Sequence, residues 1–100
     1  AREELAAEAA LIPDAVEEFL RWESPAQRFA RVLAADVELH GVGMKAGCRV
    51  MLLYGSANRD PRAFADPDVL DMRRKPRMHL GFGHGIHFCA GAALARSVAR

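Results

Sequence analysis

The segment that most constrains this chain is Gly81-Phe82-Gly83-His84-Gly85-Ile86-His87-Phe88-Cys89-Ala90-Gly91, which runs directly into an Ala-rich stretch of high helix propensity. Four of its eleven residues are glycine, so the backbone either adopts positive φ there or has to lie close to something. Common glycine-loop patterns fail on spacing. A dinucleotide fingerprint needs G-x-G-x-x-G, but Ile86 and Phe88 stand where the third glycine would fall. A phosphate loop needs G-x-x-x-x-G-K-[ST], but Gly85 to Gly91 is one residue too long and no lysine follows. His79, His84, His87 and Cys89 offer nitrogen and sulfur to zinc, yet paired C-x-x-C spacing is missing and zinc does not require crowded glycines.

The rest of the chain supplies the setting. Residues 2–11 read as helix, Pro13 interrupts, and about 14–23 reads as a second helix with Asp14, Glu17 and Glu18 at its positive end. Ser24-Pro25 ends it. Residues 27–33, 37–40 and 48–54 read as strands of one small antiparallel sheet, with turns at Gly41-Val42-Gly43 and Ala46-Gly47. From Gly55 to Gly81 the pattern dissolves into turn chemistry, a length of irregular chain that is often functional. Both ends read as helix in mid-course, so a piece of a longer protein is expected, with residues 1–100 as part of one domain. Alone, these residues are expected neither to fold stably nor to catalyse.

Composition excludes little: 51% hydrophobic, 27% charged and a formal net charge of +1. That balance gives no reason to invoke nucleic acid, and no stretch approaches the roughly 18 apolar residues of a membrane span. Of the two cysteines, Cys48 sits in an apolar run and reads as a buried small hydrophobe. Cys89 does not. It lies just before a helix, where free N–H groups and the helix dipole suit an anionic sulfur, and a bound ferric ion would suit it more. The glycines would let the loop lie flat under a porphyrin and aim N–H groups at the sulfur, tuning the metal. Phe82 would shield the sulfur from water, and Gly91 would let the helix pass close to the ring. His79 and His84 read as loop residues; Trp22, Met44 and Met51 read as packing.

The spacing Phe82-Gly83-x-Gly85-x-His87-x-Cys89-x-Gly91 resembles the haem-binding signature of the cytochromes P-450 of the bacterial soluble class. Glu18-x-x-Arg21 is similar to the family's E-x-x-R helix pair, and Asn58-Arg59-Asp60-Pro61 to its Asn-Arg-Asp-Pro element. The resemblance implies an α+β fragment of that mainly helical fold: helix, small antiparallel sheet, long irregular meander, Cys loop and the start of the final helix. It implies haem b as cofactor, with Cys89 as the metal ligand. Arg31 and His87 would meet the haem propionates, and Phe82, Gly83, Gly85 and Gly91 would complete the cofactor-binding set. Arg74 would join Glu18 and Arg21 in a structural triad, with Arg73 competing for that register.

The implied function is a monooxygenase that puts one oxygen atom of O2 into a small organic substrate. Electrons would come from a ferredoxin or flavodoxin-type donor that docks near the basic run Arg73 to Arg77. The alternatives are a peroxide-using peroxygenase and a non-catalytic haem-binding remnant. The implied setting is the bacterial cytoplasm, as a monomer, with neither nucleic acid nor membrane as partner. An upstream acid–alcohol pair would separate the first two functions.

Overall fold

The computed structural model describes residues 2–100 of the chain; Ala1, read with the opening helix, lies outside them. The Ala- and Glu-rich start forms α1 (Arg2–Ala7), followed by a 3-10 turn at Ala9–Leu11. The single helix expected over residues 2–11 does not form. Proline explains the break: a continuous helix would drive the Pro13 ring into the Ala9 carbonyl and leave that carbonyl without its N–H partner. Pro13 instead sits in the first turn of α2 (Ile12–Trp22), with Asp14 near the positive end and Arg21 in the last turn. The helix closes as the Glu23 N–H donates to the Phe19 carbonyl at 2.8 Å.

The strand region differs from the expected single sheet. It forms two separate two-stranded ribbons. β1 (Phe29–Val32) pairs antiparallel with β4 (Arg49–Leu52), Phe29 opposite Leu52 and Val32 opposite Arg49. Between them, β2 (Val37–Leu39) and β3 (Val42–Met44) make a hairpin of their own. Its turn is His40-Gly41, not Gly41 to Gly43, and φ is 51° and 78° at those two residues. Two successive positive φ values are the signature of the two-residue turn whose twist matches its strands. The Asp36 carboxylate accepts from Lys45 Nζ at 2.6 Å and from the Ala46 N–H at 2.9 Å, pinning the hairpin's base. The apolar run from Cys48 stops pairing at Leu52, and Tyr54–Ala57 turns into the short helix α3. Cys48 is exposed, not buried, because only one face of a two-stranded ribbon has anything to pack against. For the same reason Met51 is half exposed.

The remaining elements are a 3-10 turn at Gly85–His87 and α4 (Ala92–Ala99). The chain is an elongated α+β slab of 53 × 29 × 16 Å with a radius of gyration of 16.2 Å, against about 13 Å for a compact domain of 100 residues. Its accessible surface is 7273 Å², where a compact monomer of this mass would show about 5600 Å². The largest fully buried side chains are Arg21, Glu18 and Asn58, so the tightest part of the core is polar. Leu94 and Val98 of α4 are mostly exposed. Among the described residues no helix is long and apolar enough to cross a membrane.

Candidate functional site

The polar core fixes the irregular chain on which the Cys loop stands. Glu18 and Arg21 lie one turn apart on α2 and face the same way. Arg21 donates Nε to Glu18 Oε2 and Nη2 to Glu18 Oε1, each at 2.8 Å, and both side chains are fully buried. Glu18 Oε1 also accepts Arg74 Nε at 3.0 Å and the Asp71 N–H at 3.0 Å. Burial pushes the Glu18 carboxyl up, but hydrogen bonds from Arg21, Asp71 and Arg74 outweigh it and hold the group below its ordinary value. The neighbouring Arg73 turns away, to Glu4 and Glu8. Arg21 Nη1 reaches the carbonyls of Asn58 and Pro67, each at 2.8 Å. The Asn58 side chain donates to Ser24 Oγ at 2.6 Å and accepts the Leu80 N–H at 2.7 Å. Leu80 is the residue before the glycine loop, so the buried cluster sets where that loop begins.

Within the loop the Cys89 N–H donates to the Phe82 carbonyl at 2.8 Å, folding it back on itself. Gly83 and Gly85 have φ of 74° and 69°, a conformation that side chains with a Cβ rarely adopt. Gly81 is required for another reason: a Cβ there would come within 2.9 Å of the Leu20 carbonyl. The loop faces an open cleft of about 760 Å³, within the range of small-molecule and cofactor sites. Phe82, Gly83, His87, Cys89 and Arg31 all line it, with apolar walls from Leu20, Phe29 and Tyr54. Gly85 and Gly91 flank the loop without lining the cleft, and Gly91 caps α4. Glu18, Arg21 and Arg74 meet one another away from it.

The model for the family described as Cytochrome P450 matches residues 4–99. The chain belongs to the cytochrome P450 family. Among its relatives is the biotin biosynthesis cytochrome P450 of Bacillus subtilis, 55% identical over 86 residues, which cover 86% of this chain and 22% of that protein. Another is the steroid C26-monooxygenase of Mycobacterium tuberculosis, 50% identical over 86 residues, 86% of this chain and 23% of that protein. The crystal structure of substrate-free CYP109E1 from Bacillus megaterium superposes with a TM-score of 0.94 at 48% identity, covering 97% of this chain and 25% of that one. The chain thus spans about a quarter of the length of these relatives.

The cofactor of the cytochrome P450 family is haem b, and the residues of the cleft fit it. One thiol, Cys89, stands in a mainly apolar cleft, and its exposed side chain leaves the sulfur accessible to a metal. Arg31 and His87 on the same cleft could answer the carboxylates of such a group. A Cβ at Gly83, on the same cleft, would lie 3.5 Å from the His87 carbonyl and 3.8 Å from the Tyr54 hydroxyl, so glycine is favoured there by its positive φ rather than by space.

Sequence reasoning missed one wall of this cleft and the partners of some residues around it. Tyr54 packs its ring 5.4 Å from that of Phe29 and helps wall the cleft; no motif marked it. Trp22 does more than pack, because Arg59 stacks on its ring at 4.3 Å and its Nε1–H donates to the Asp68 carbonyl at 3.2 Å. His79 is a loop residue, as expected, but its side chain is buried and bonded to Glu17 at 2.8 Å. His84 is exposed.

Proposed function

We propose that this chain is the haem-thiolate segment of a P450 monooxygenase, in which Cys89 Sγ would hold the iron and Arg31 and His87 would meet the propionates. The observation that carries the reading is the meeting of one free thiol with those two side chains on a single, mainly apolar cleft. When bound, the haem supplies the activation of O2 by which one oxygen atom enters an organic substrate and the other leaves as water. The protein positions and tunes. The Phe82 carbonyl holds the Cys89 amide, and the Phe82 and Phe88 rings lie 6.2 Å apart in the same loop. Glycine at 83 and 85 lets the loop keep positive φ without strain.

The substrate we infer is an apolar organic molecule that passes the turn at Gln27 to Phe29, in keeping with relatives named for biotin synthesis and steroid oxidation. A ferredoxin or flavodoxin-type donor would dock near Lys75 and Arg77, both exposed. Reversing both charges should slow first-electron transfer at low salt. The setting we infer is the bacterial cytoplasm.

The test is the reduced carbon-monoxide spectrum of the haem-loaded, full-length protein. Wild type and Cys48→Ser should show the strongly red-shifted Soret band of thiolate ligation, and Cys89→Ser should lose it. A band retained in Cys89→Ser overturns the reading.

A further inference from the structure

We propose that Glu17 is a positioning residue for the thiolate loop: its carboxylate holds Arg96 and His79 against the Phe82 ring and so fixes the residue whose carbonyl anchors the Cys89 amide. The inference rests on Cys89 ligating the haem iron. Glu17 precedes the Glu18 of the buried cluster but points elsewhere. It takes a two-pronged grip from Arg96 of α4, Nε to Oε1 at 2.5 Å and Nη2 to Oε2 at 2.8 Å. Its Oε2 also meets His79 Nε2 at 2.8 Å. His79 Nδ1 accepts the Gly81 N–H at 3.0 Å, so Nε2 carries the proton that is donated to Glu17. Hydrogen bonds from Arg96, opposed by burial and helped by His79, hold the Glu17 carboxyl down at about 2, which keeps it an anion throughout the working range.

Both of its partners end on Phe82. The Arg96 guanidinium lies over the Phe82 ring at 4.6 Å, and the His79 ring centroid is 6.1 Å from it. Phe82 in turn accepts the Cys89 N–H at its carbonyl. One carboxylate on α2 therefore joins α4, the approach to the loop and the loop itself. Without it Arg96 has no fork to lock its planar group, and the ring beneath it gains freedom. The Cys89 amide, held by the Phe82 carbonyl, would then be freer to turn its N–H toward the sulfur. That weakens electron donation to iron and favours the more negatively charged ferrous state.

The experiment is a double-mutant cycle on the haem-loaded, full-length protein, read as the ferric/ferrous equilibrium. Glu17→Gln should shift it about tenfold toward ferrous, a size typical of residues coupled through direct contacts. The same change in a Phe82→Leu background should shift it little. Glu17→Asp, which keeps the charge and shortens the reach, should shift it in the same direction. A Coulomb role alone predicts equal shifts in both backgrounds and none for Glu17→Asp, and either result overturns the proposal. So does a fall in melting temperature with the equilibrium unmoved. If Glu17→Gln does not load haem, Arg96→Lys, which keeps the charge but loses the fork, is read by the same cycle. A wild type without the red-shifted band would sink the ligation reading instead, whereas additive effects with that band present sink only this one.

Discussion

Glu18→Gln removes the charge that compensates Arg21 and nothing else of comparable size. In the native cluster the carboxylate accepts four hydrogen bonds, two from Arg21, one from Arg74 and one from the Asp71 N–H. The glutamine amide keeps one acceptor oxygen but turns an N–H pair toward guanidinium donors. Arg21 is wholly buried and cannot recover water. Breaking a buried pair by removing one partner costs about 3–5 kcal/mol. Arg74→Met should cost less, about 1–2 kcal/mol, since it leaves the Glu18–Arg21 pair intact; beyond its bond to Glu18 it deletes only solvent-exposed bonds, to the carbonyls of Ala65, Asp66 and Val69, and the Arg74 side chain is 16% exposed. Urea unfolding of the full-length protein measures both as a lower midpoint at unchanged slope.

The loss depends on pH in a definite direction. The folded Glu18 carboxyl sits below its ordinary value, so its contribution is complete above the unfolded carboxylate range and fades as pH falls toward the folded value. The gap between wild type and Glu18→Gln should therefore narrow below about pH 4. A Glu18→Gln protein within about 1 kcal/mol of wild type at pH 7 would refute the argument from burial. So would an Arg74→Met loss larger than that of Glu18→Gln.

Asn58→Ala strands the Leu80 N–H, served at 2.7 Å, and leaves Ser24 Oγ only its bond to the Arg21 carbonyl; it should cost about 2 kcal/mol and speed amide exchange at Leu80 and Gly81. Gly83→Ala and Gly85→Ala should each lose about 1–2 kcal/mol of stability from positive φ. Of the two, only Gly83 lines the cleft, so only Gly83→Ala should lower haem retention beyond what its melting temperature accounts for. The 100 residues alone should melt without a cooperative transition, given 7273 Å² of exposed surface; a sharp calorimetric peak would contradict that.

The Cys loop was legible because its chemistry is local. A thiol, four glycines and a helix start within eleven residues leave few compatible uses, and the spacing eliminates most of them. The Glu18–Arg21 pair was legible for the same reason, as neighbours on one helix face. The ribbons were not. Alternation at 37–40 marks a strand but not its partner, and the division into β1–β4 and β2–β3 hangs on where the turn falls, at His40-Gly41. The His40-Gly41 turn was misplaced because only a few per cent of non-glycine residues adopt positive φ, so the two glycines at 41 and 43 drew the turn to themselves. The Glu17 network spans 62 and 79 residues along the chain, so nothing beyond a helix-end charge was visible at Glu17. Asn58 read as turn chemistry, whereas its side chain proved to be the buried joint between α2 and the loop.

The most direct test is X-ray absorption at the iron edge of the haem-loaded, full-length protein. The account predicts one sulfur bound to the iron alongside the porphyrin nitrogens, absent in Cys89→Ser and kept in Cys48→Ser. Iron bound by nitrogen and oxygen alone in the wild type would contradict it.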